Sequence, residues 1–468
     1  MSEEILNVQE ELNEQMQIRR DKLAEYEADG IYPFGQRFVV KDHAKEIKDD
    51  FFLKYDGQPV VIAGRLMTIR SHGKTAFANV RDKSGDIQVY FRKDILGEEN
   101  YKYVKMLDIG DIVGIEGHVF KTHTGEVTIK VDKLTLLSKS LRPLPEKWHG
   151  LKDTELRYRQ RYVDLIVNPE VRDTFVKRSQ IVAKIREYMM SDGFMEVETP
   201  MMHAIPGGAA ARPFITHHNA LDIDIYMRIA PELYLKRLIV GGMDRVFEMN
   251  RCFRNEGIDN RHNPEFTTIE SYQAYGDVED AIRLTENLVS YCAQEVLGTQ
   301  EITYQGTEIN LTPPWNRITM AEGVKKYTGE DFDAVTTVEE ARAIADRLNV
   351  EYTDNDGIGK ILNACFEDYV EENLIQPTIV YGHPKEISPL AKASRENPLA
   401  TERFEAFIYG RELANGFSEL NDPIDQKQRF LDQLKEREAG DDEAHRMDED
   451  FVNALEYGLP PTAGLGIG

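Results

Sequence analysis

Residues 253–270 read FRNEGIDNRHNPEFTTIE, and this pattern predicts a strand, a polar loop and an antiparallel returning strand. Arg254 stands where the first strand ends. Its planar guanidinium presents several N–H donors at once, so it suits a carboxylate or phosphate ligand. The alternative interpretation is a surface hairpin held by salt bridges, which the spacing between FRNE and RHNPEF disfavours. We therefore interpret the segment as a hairpin that binds an anionic ligand.

Two other segments, one on either side of this hairpin in the chain, carry related patterns. Residues 192–200, DGFMEVETP, predict a helix end followed by a strand that stops at proline. Residues 464–468, GLGIG, alternate glycine with apolar residues, which lets the backbone approach a ligand closely. Taken alone, the first of these is an ordinary connection. Taken together and in this order, the three segments resemble the three signatures of class II aminoacyl-tRNA synthetases.

The resemblance covers nearly the whole chain, and the full pattern is similar to that of bacterial-type class II lysyl-tRNA synthetases. It is also carried by IYPFGQRF from Ile31, PGGAAARPF over 206–214, YGHPKEISPLAK from Tyr381 and EYGLPPTAGLGIG from Glu456. It implies an α+β fold, in which an N-terminal OB-fold β-barrel precedes a class II antiparallel-sheet catalytic domain with a helical insertion. It also implies a homodimer, because the first signature forms the dimer interface in that family.

In the family, the third signature continues from its glycines to an acidic residue and an arginine. That arginine pairs with the γ-phosphate of ATP and covers the adenine. The sequence ends at Gly468, inside this signature. We therefore expect a longer natural polypeptide, and we expect the chain as given to be impaired in catalysis.

The implied reaction begins with attack of an amino-acid carboxylate on the α-phosphate of ATP. Charge accumulates on phosphoryl oxygens, which require fixed cations rather than a protein nucleophile. Arg254 is the implied catalytic residue, bridging the substrate carboxylate and the α-phosphate. Glu405 and Glu412 are expected to hold Mg²⁺, which prefers hard oxygen ligands. The resemblance assigns ATP binding to Arg254, Glu256, Arg261, His262, Asn263, Phe266, Glu405 and Glu412.

Specificity for lysine is argued from the acidic residues at the family's pocket positions. A cation that leaves water requires a charged partner, because an unpaired buried charge is strongly unfavourable. Glu232 and Glu419 are expected to accept from the ε-ammonium group, and Glu270 from the α-ammonium group. The implied lysine-binding residues are Gly208, Glu232, Arg254, Glu270, Tyr272, Asn415 and Glu419. An aspartate pocket would require Lys or Arg there, which argues against the aspartyl and asparaginyl relatives.

Short β segments with turns between them occupy residues from about 60 to 137, with a helix-compatible stretch between the third and fourth segments. Five strands in this order are typical of an OB-fold barrel. Alternation places Ala76, Ala78 and Val80 on one face of the second strand and Phe77 on the other. OB-folds use that other face to stack unpaired bases, although Phe77 alone could simply cover a barrel edge. The resemblance assigns tRNA anticodon binding to Arg70, Phe77 and Gln88.

The composition excludes several other classes of protein. Among 468 residues, 57 Lys and Arg face 82 Asp and Glu, so the net charge is −25, which argues against a general nucleic-acid coat protein. Local basic faces can still bind RNA. Three cysteines without a CxxC pair indicate neither a disulfide framework nor a zinc site. The acidic N-terminus and the lack of any long apolar run predict a cytoplasmic protein without a membrane partner.

We predict four regions from these patterns. Residues 1–55 form an N-terminal helical segment, which either docks on a neighbouring domain or subunit or contacts tRNA. Residues 56–143 form the OB-fold anticodon-binding domain, and residues 144–165 form a linker rich in helix breakers. Residues 166–468 form the catalytic domain, with a helical insertion at about 318–376.

The resemblance implies an enzyme that joins L-lysine to the 3′ end of tRNA(Lys) with consumption of ATP. One rival is a related ligase that modifies a lysine of another protein; such relatives lack the OB-fold, so the barrel argues against it. Another rival is a noncatalytic RNA-binding paralogue. Retention of Arg254, Glu405, Glu412 and the pocket residues argues against loss of activity, although the missing end of the third signature keeps this rival open.

Overall fold

The computed structural model describes residues 13–35, 37–145, 153–258, 262–438, 440 and 443–468. The chain forms two compact units that divide between Thr174 and Phe175. No helix in these described ranges is both long and apolar enough to cross a membrane. The start of the predicted N-terminal helix, residues 146–152 of the predicted linker, and Arg261 lie outside the described residues.

The first unit contains a closed five-stranded barrel with the strand order β1-β2-β3-β5-β4. Its elements are α1 (Glu14–Ala28), α2 (Ala44–Asp49), a π-helical turn (Phe51–Tyr55), β1 (Pro59–His72), β2 (Thr75–Arg81), β3 (Asp86–Arg92), α3 (Lys93–Met106), β4 (Ile112–Lys121), β5 (Val127–Ser138), α4 (Thr154–Arg159) and α5 (Arg161–Val167). Ala76, Ala78 and Val80 are buried in the barrel core, whereas Phe77 faces outward. The predicted OB-fold and the faces of its second strand are confirmed.

Helix α1 packs on the barrel of its own unit. The Asn13 side chain caps its first turn by accepting from the backbone N–H of Met16 at 2.9 Å. Arg19 is buried, and its guanidinium donates to the backbone carbonyls of Ile109 and Ser140 at 3.0 Å. A guanidinium bound in this way is not available to RNA phosphates. Within the described part of the segment, Arg19 therefore has a docking role.

The second unit is built on an eight-stranded sheet. It begins within α6 (Pro169–Ser191), which crosses the division between the units. Its other elements are β6 (Met195–Glu196), β7 (Met202–His203), β8 (Ile215–His218), β9 (Ile223–Met227), α7 (Glu232–Val240), β10 (Arg245–Phe253), β11 (Glu265–Ala274), α8 (Val278–Leu297), β12 (Glu301–Tyr304), β13 (Thr307–Asn310), β14 (Asn316–Thr319), α9 (Met320–Thr328), α10 (Val338–Leu348), α11 (Ile358–Tyr369), β15 (Thr378–Tyr381), β16 (Arg403–Phe407), β17 (Glu412–Ser418), α12 (Pro423–Glu438), α13 (Glu449–Glu456) and β18 (Thr462–Ile467).

The sheet has the order β14-β15-β16-β17-β18-β11-β10-β6, and only its two outermost pairings are parallel. Residues 253–270 form the predicted hairpin, because β10 and β11 pair antiparallel on either side of the polar loop. Helices α9, α10 and α11 lie between β14 and β15 in the chain and share a core with Val380 and Phe407 of the sheet. The predicted fold class, a barrel plus a mainly antiparallel sheet with a helical insertion, is confirmed.

Candidate active site

The hairpin, the first turn of α7 and three neighbouring strands surround a cavity of about 680 Å³ in the second unit. Every described residue that the sequence assigned to the catalytic domain's site lines it: Gly208, Glu232, Arg254, Glu256, His262, Asn263, Phe266, Glu270, Tyr272, Glu405, Glu412, Asn415 and Glu419. Arg261 lies outside the described residues. Side chains from distant parts of the chain therefore converge on one cavity.

A larger cavity, of about 1180 Å³, is lined in part by α9, α11 and residues 381–403 and contains none of the predicted residues. Among its cations, Arg317 is paired with Glu279 and Arg429 with Asp425. Because these charges already have protein partners, this cavity offers less for a charged ligand. The smaller cavity is the better candidate for an active site.

Strand register explains how the residues of the smaller cavity come together. Across four adjacent strands, Glu405, Asn415, Gly466 and Glu270 stand directly opposite one another. A second row, two residues further along each strand, contains Arg403, Phe417, Gly464 and Tyr272. Alternate strand residues share a face, so both rows face the cavity. The glycines of β18 leave room between the side chains on either side.

Glu232 and Glu419 form the buried acidic end of the cavity. Glu232 is 5% exposed and Glu419 is 1% exposed. Both carboxylates form ion pairs with Lys236, one turn after Glu232 on α7; its Nζ lies 2.6 Å from Glu232 Oε1 and is also in contact with Glu419. A Cβ on Gly464 would overlap the Glu419 carboxylate, so glycine is required there. Burial raises the pKa of Glu232 and, more strongly, that of Glu419.

Glu270 and Tyr272 line the same end from β11. The Tyr272 hydroxyl donates to Glu270 Oε2 at 3.0 Å. Burial, reinforced by the negative charge of Glu232, raises the pKa of Glu270 to about 8. Gly208 has a φ of +93°, and a Cβ there would lie 3.0 Å from the Cβ of Glu232. This end of the cavity is therefore narrow and acidic, and a cationic ligand would stabilise its carboxylates.

Arg254 connects this acidic end with a more exposed mouth. Its backbone N–H donates to the carbonyl of Pro264 at 2.9 Å, and its guanidinium lies 5.2 Å from the ring centre of Phe266. The buried Nε has no hydrogen-bond partner among the described residues. Its positive charge opposes the rise in the pKa of both Glu270 and Glu412, so it is within Coulombic reach of both. Glu256, His262 and Asn263 are exposed at the mouth.

Glu405 and Glu412 form a second carboxylate pair in the cavity. Burial works against ionisation of Glu405, but His383 and Arg403 outweigh it and hold its pKa at about 2. Burial and the nearby charge of Glu405 raise the pKa of Glu412 to about 7. No cluster of three or more potential metal-binding side chains occurs in the described part of the chain. The pair thus offers hard oxygen ligands for a cation that draws its remaining ligands elsewhere.

Sequence reasoning missed three residues of the cavity and its surroundings. Lys236 follows Glu232 by four residues, a helical ion-pair spacing that could have indicated it. Arg403 is held by Asn415 Oδ1 at 3.0 Å and Glu405 at 2.6 Å. Arg403 and Glu405 are two residues apart on one strand, so their side chains share a face, and this spacing could have indicated Arg403. His445 is buried, and burial together with Lys236 lowers its pKa to about 4; nothing in its neighbouring sequence indicated the cavity.

The OB barrel of the first unit carries the other predicted site. Arg70 and Phe77 are paired across β1 and β2, and Phe77 stacks on Tyr90 of β3 with ring centres 4.4 Å apart. Gln88 accepts a hydrogen bond from the Thr128 hydroxyl at 2.8 Å. Arg70 is exposed. The three predicted residues thus lie on neighbouring strands, with Tyr90 extending the aromatic surface.

The raised pKa of Glu270 predicts a pH-dependent stability for the ligand-free protein. Below its ordinary value of 4.5 the carboxyl is protonated in both states, and between 4.5 and about 8 only the folded state holds the proton. The free energy of unfolding should therefore fall as pH rises from about 5 to about 8. When urea unfolding is measured across this pH range, the free energy of unfolding should fall less steeply with pH in Glu270→Gln than in the unsubstituted protein. Glu412 contributes in the same direction in both proteins, and equal slopes would contradict the assignment.

Comparison with known proteins finds family matches over both the sheet and the barrel. A family model described as tRNA synthetases class II (D, K and N) matches residues 153–468, and one described as an OB-fold nucleic acid binding domain matches residues 60–137. A protein of Thermoanaerobacter pseudethanolicus named lysine–tRNA ligase is 59% identical, over 100% of this chain and 94% of the relative. The lysine–tRNA ligase of Bacillus subtilis is 57% identical, over 100% of this chain and 95% of the relative.

Proposed function

The chain belongs to the class II tRNA synthetases of the D, K and N type, and from that premise we propose that it is a lysine–tRNA ligase. It activates L-lysine with ATP to lysyl-adenylate and pyrophosphate, and then transfers the lysyl group to the 3′ end of tRNA(Lys). The observation that carries the proposal is the buried acidic end formed by Glu232 and Glu419 in the cavity that also contains Arg254.

The acidic end suits the two ammonium groups of lysine. Glu232, Glu419 and Tyr272 accept hydrogen bonds from the ε-ammonium group and fix its position. Glu270 accepts from the α-ammonium group. Asn415 adds a hydrogen bond from the neighbouring strand. Gly208 leaves space beside Glu232 that a Cβ would fill. An aspartate side chain would bring a further negative charge among these carboxylates, which is strongly unfavourable in a buried site.

Arg254 performs the central task of the first step. Its guanidinium binds the lysine carboxylate and the α-phosphate together, which holds the attacking oxygen near phosphorus and neutralises the charge that develops. Phe266, which already supports the guanidinium, stacks on the adenine. Glu256 accepts from the adenine amino group. Arg261, His262 and Asn263 bind the phosphates at the mouth of the cavity.

Glu405 and Glu412 are the residues that would hold Mg²⁺. Their fit follows from their chemistry, since two adjacent carboxylates repel each other and raise the pKa of Glu412. Mg²⁺ prefers few protein carboxylates and completes its ligands with phosphates and water. When bound, the ion neutralises charge on the ATP phosphates. Arg403 and His383 orient Glu405 for this role.

The OB barrel provides the contact with tRNA, and the protein forms a homodimer. Arg70, Phe77 and Gln88 bind the anticodon, with an unpaired base stacked on Phe77. Apolar side chains are exposed on α6 and in the first signature segment of the second unit, among them Phe175 and Val176 of α6 and Met195 of β6. These suit burial against a second copy of the chain. We also propose that the enzyme acts in the cytoplasm.

Replacing Phe77 with alanine should weaken tRNA charging and leave lysine-dependent pyrophosphate exchange unchanged. Loss of a base stack is worth about 1–3 kcal/mol, so the KM for tRNA should rise by about 5- to 150-fold. Phe52→Ala is the control, because Phe52 is an aromatic residue of the same unit that is 77% exposed and lies outside the barrel strands. Equal losses in charging and exchange would contradict the assignment of the barrel face.

Pyrophosphate exchange with each amino acid in turn tests the proposed function as a whole. The assay is run with ATP and Mg²⁺ and needs no tRNA. Lysine alone should support exchange well above background, because only lysine satisfies both ends of the acidic cavity. Exchange with aspartate or asparagine instead would refute the lysine assignment while leaving the family membership intact.

A further inference from the structure

Lys236 is a fully buried cation immediately behind the acidic end of the cavity. Its side chain is 0% exposed, and it is not among the residues that line the cavity. Its ammonium group contacts the carboxylates of both Glu232 and Glu419, which do line the cavity. The rings of Phe417 and Phe451 lie 5.6 and 5.8 Å from it. Lysine is rarely found fully buried, because removing its charge from water is costly. The position of Lys236 therefore calls for a functional explanation.

The charges around Lys236 define that reason. Glu232 on its own helix, Glu419 after β17, Glu270 and Tyr272 on β11 and His445 before α13 face this part of the site. Tyr272 is neutral because burial raises its pKa, and His445 is neutral because burial lowers its pKa. Arg403 also acts on Glu232 but is paired with Glu405. In the lysine-bound site Glu270 gives up the proton that it carries in the empty site, so three carboxylates and the Lys236 ammonium group remain. A bound lysine adds two ammonium groups, and its own carboxylate is taken by Arg254, so the buried charges then balance.

We propose that Lys236 is a positioning and specificity-determining residue, whose ammonium group fixes Glu232 and Glu419 and sets the charge of the site to match one lysine molecule. This inference rests on the proposed function and deepens it. Without Lys236, three carboxylates would face two ammonium groups. One carboxylate would then bind a proton, and the aligned pair of acceptors would be lost.

The geometry supports a role in binding rather than in packing alone. The Glu419 oxygens have no hydrogen-bond partner among the described residues beyond the ion-pair contact with Lys236. Lys236 thus holds the Glu419 carboxylate on the side away from the cavity, and the carboxylate remains available to a ligand on the cavity side. Burial opposes the charged form of Lys236, but Glu232 and Glu419 outweigh it and raise the pKa of Lys236 above its usual value. The cation is therefore retained when the site is empty.

Lys236→Met tests the proposal, because it removes the charge and keeps most of the side-chain volume. Calorimetry with L-lysine, and separately with ATP and Mg²⁺, measures the two dissociation constants of the folded variant. The dissociation constant for lysine should rise by about 30-fold or more, as is usual when one partner of a buried ion pair is removed. The constant for ATP should change by less than about twofold.

The pH dependence separates this role from a structural one. In Lys236→Met a proton must leave the uncompensated carboxylate before the substrate ammonium binds. The dissociation constant for lysine should therefore fall more steeply between about pH 6.5 and about pH 8.5 than in the unsubstituted protein. The double variant Lys236→Met/Glu232→Gln removes one charge of each sign and should return the slope to that of the unsubstituted protein.

Arg237→Met is the matched control, because Arg237 is the next residue of α7 and pairs with Asp448 away from the cavity. It should leave lysine binding and its pH dependence unchanged. Equal loss of lysine and ATP binding in Lys236→Met, or an unchanged pH slope, overturns the proposal. If Lys236→Met does not fold, a folded double variant with the original slope supports it, and an unfolded double variant overturns it. Failure of the unsubstituted protein to bind lysine would instead overturn the proposed function.

Discussion

Lysine-dependent pyrophosphate exchange is expected to be lost when Glu419 is replaced with alanine, while ATP binding changes little. Glu419 is 1% exposed and lines the acidic end, and its carboxylate overlies Gly464 at the centre of the sheet. Removing one partner from a buried charged site typically costs 3–5 kcal/mol, so kcat/KM for lysine should fall by about 100- to 1000-fold or more. Exchange kinetics with lysine and with ATP as the varied substrate measure the two effects separately.

Glu419→Gln is the matched variant, because it keeps the shape and an acceptor oxygen while removing the charge. It should lose most of the lysine-dependent activity, and the difference from alanine reports the remaining hydrogen bond. Thermal unfolding checks that both variants retain the fold. An unchanged KM and turnover for lysine in Glu419→Ala would show that the acidic end does not bind the substrate.

Arg254→Ala is expected to reduce the rate of lysyl-adenylate formation by about 100- to 1000-fold, the usual effect of removing a donor that stabilises transition-state charge. The buried Nε of Arg254 has no hydrogen-bond partner among the described residues, and Phe266 supports the guanidinium from one side. The group is thus positioned before a ligand binds. Arg254→Lys should recover little, because an ammonium group lacks the two parallel N–H donors with which a guanidinium binds an anion.

Arg251→Ala provides the control for this loss. Arg251 lies three residues earlier in β10, is exposed, pairs with Glu265 and does not line the cavity. Its removal should change the exchange rate by less than about twofold, since exposed ion pairs contribute little. Single-turnover measurement of adenylate formation is the appropriate assay, because product release does not affect it. Similar losses in the two variants would contradict a catalytic role for Arg254.

Local pattern was sufficient where a period or a motif determines structure. The alternation of Ala76, Phe77 and Ala78 predicted the two faces of β2, because strand side chains alternate strictly. The start of α12 has an equally local cause: Pro423 is its first residue, and Asp422 accepts from the backbone N–H of Ile424 at 2.9 Å. The site residues of the second unit were predicted from the resemblance to a family rather than from local pattern.

Contacts set by long-range register were beyond the sequence pattern. Arg403 contacts Asn415 because β16 and β17 pair in one register, which local propensity does not determine. Lys236 was missed because a lysine on a helix is ordinarily exposed, and its burial depends on Glu419, far along the chain. The burial of Arg19 likewise depends on residues far along the chain, because its guanidinium donates to the backbone carbonyls of Ser140 and Arg142, which follow β5.

The row of Glu270, Gly466, Asn415 and Glu405 across four strands has a consequence for the distance between the amino-acid end and the phosphate end of the cavity. Neighbouring strands are spaced by about 4.8 Å, so the backbones of Glu270 and Glu405 are held about 14 Å apart by the hydrogen-bond ladder itself. This separation does not adjust to the ligand. In the proposed function Glu270 accepts from the α-ammonium group and Glu405 binds Mg²⁺, so the backbone rather than the amino-acid side chain determines how far apart these two ligands lie.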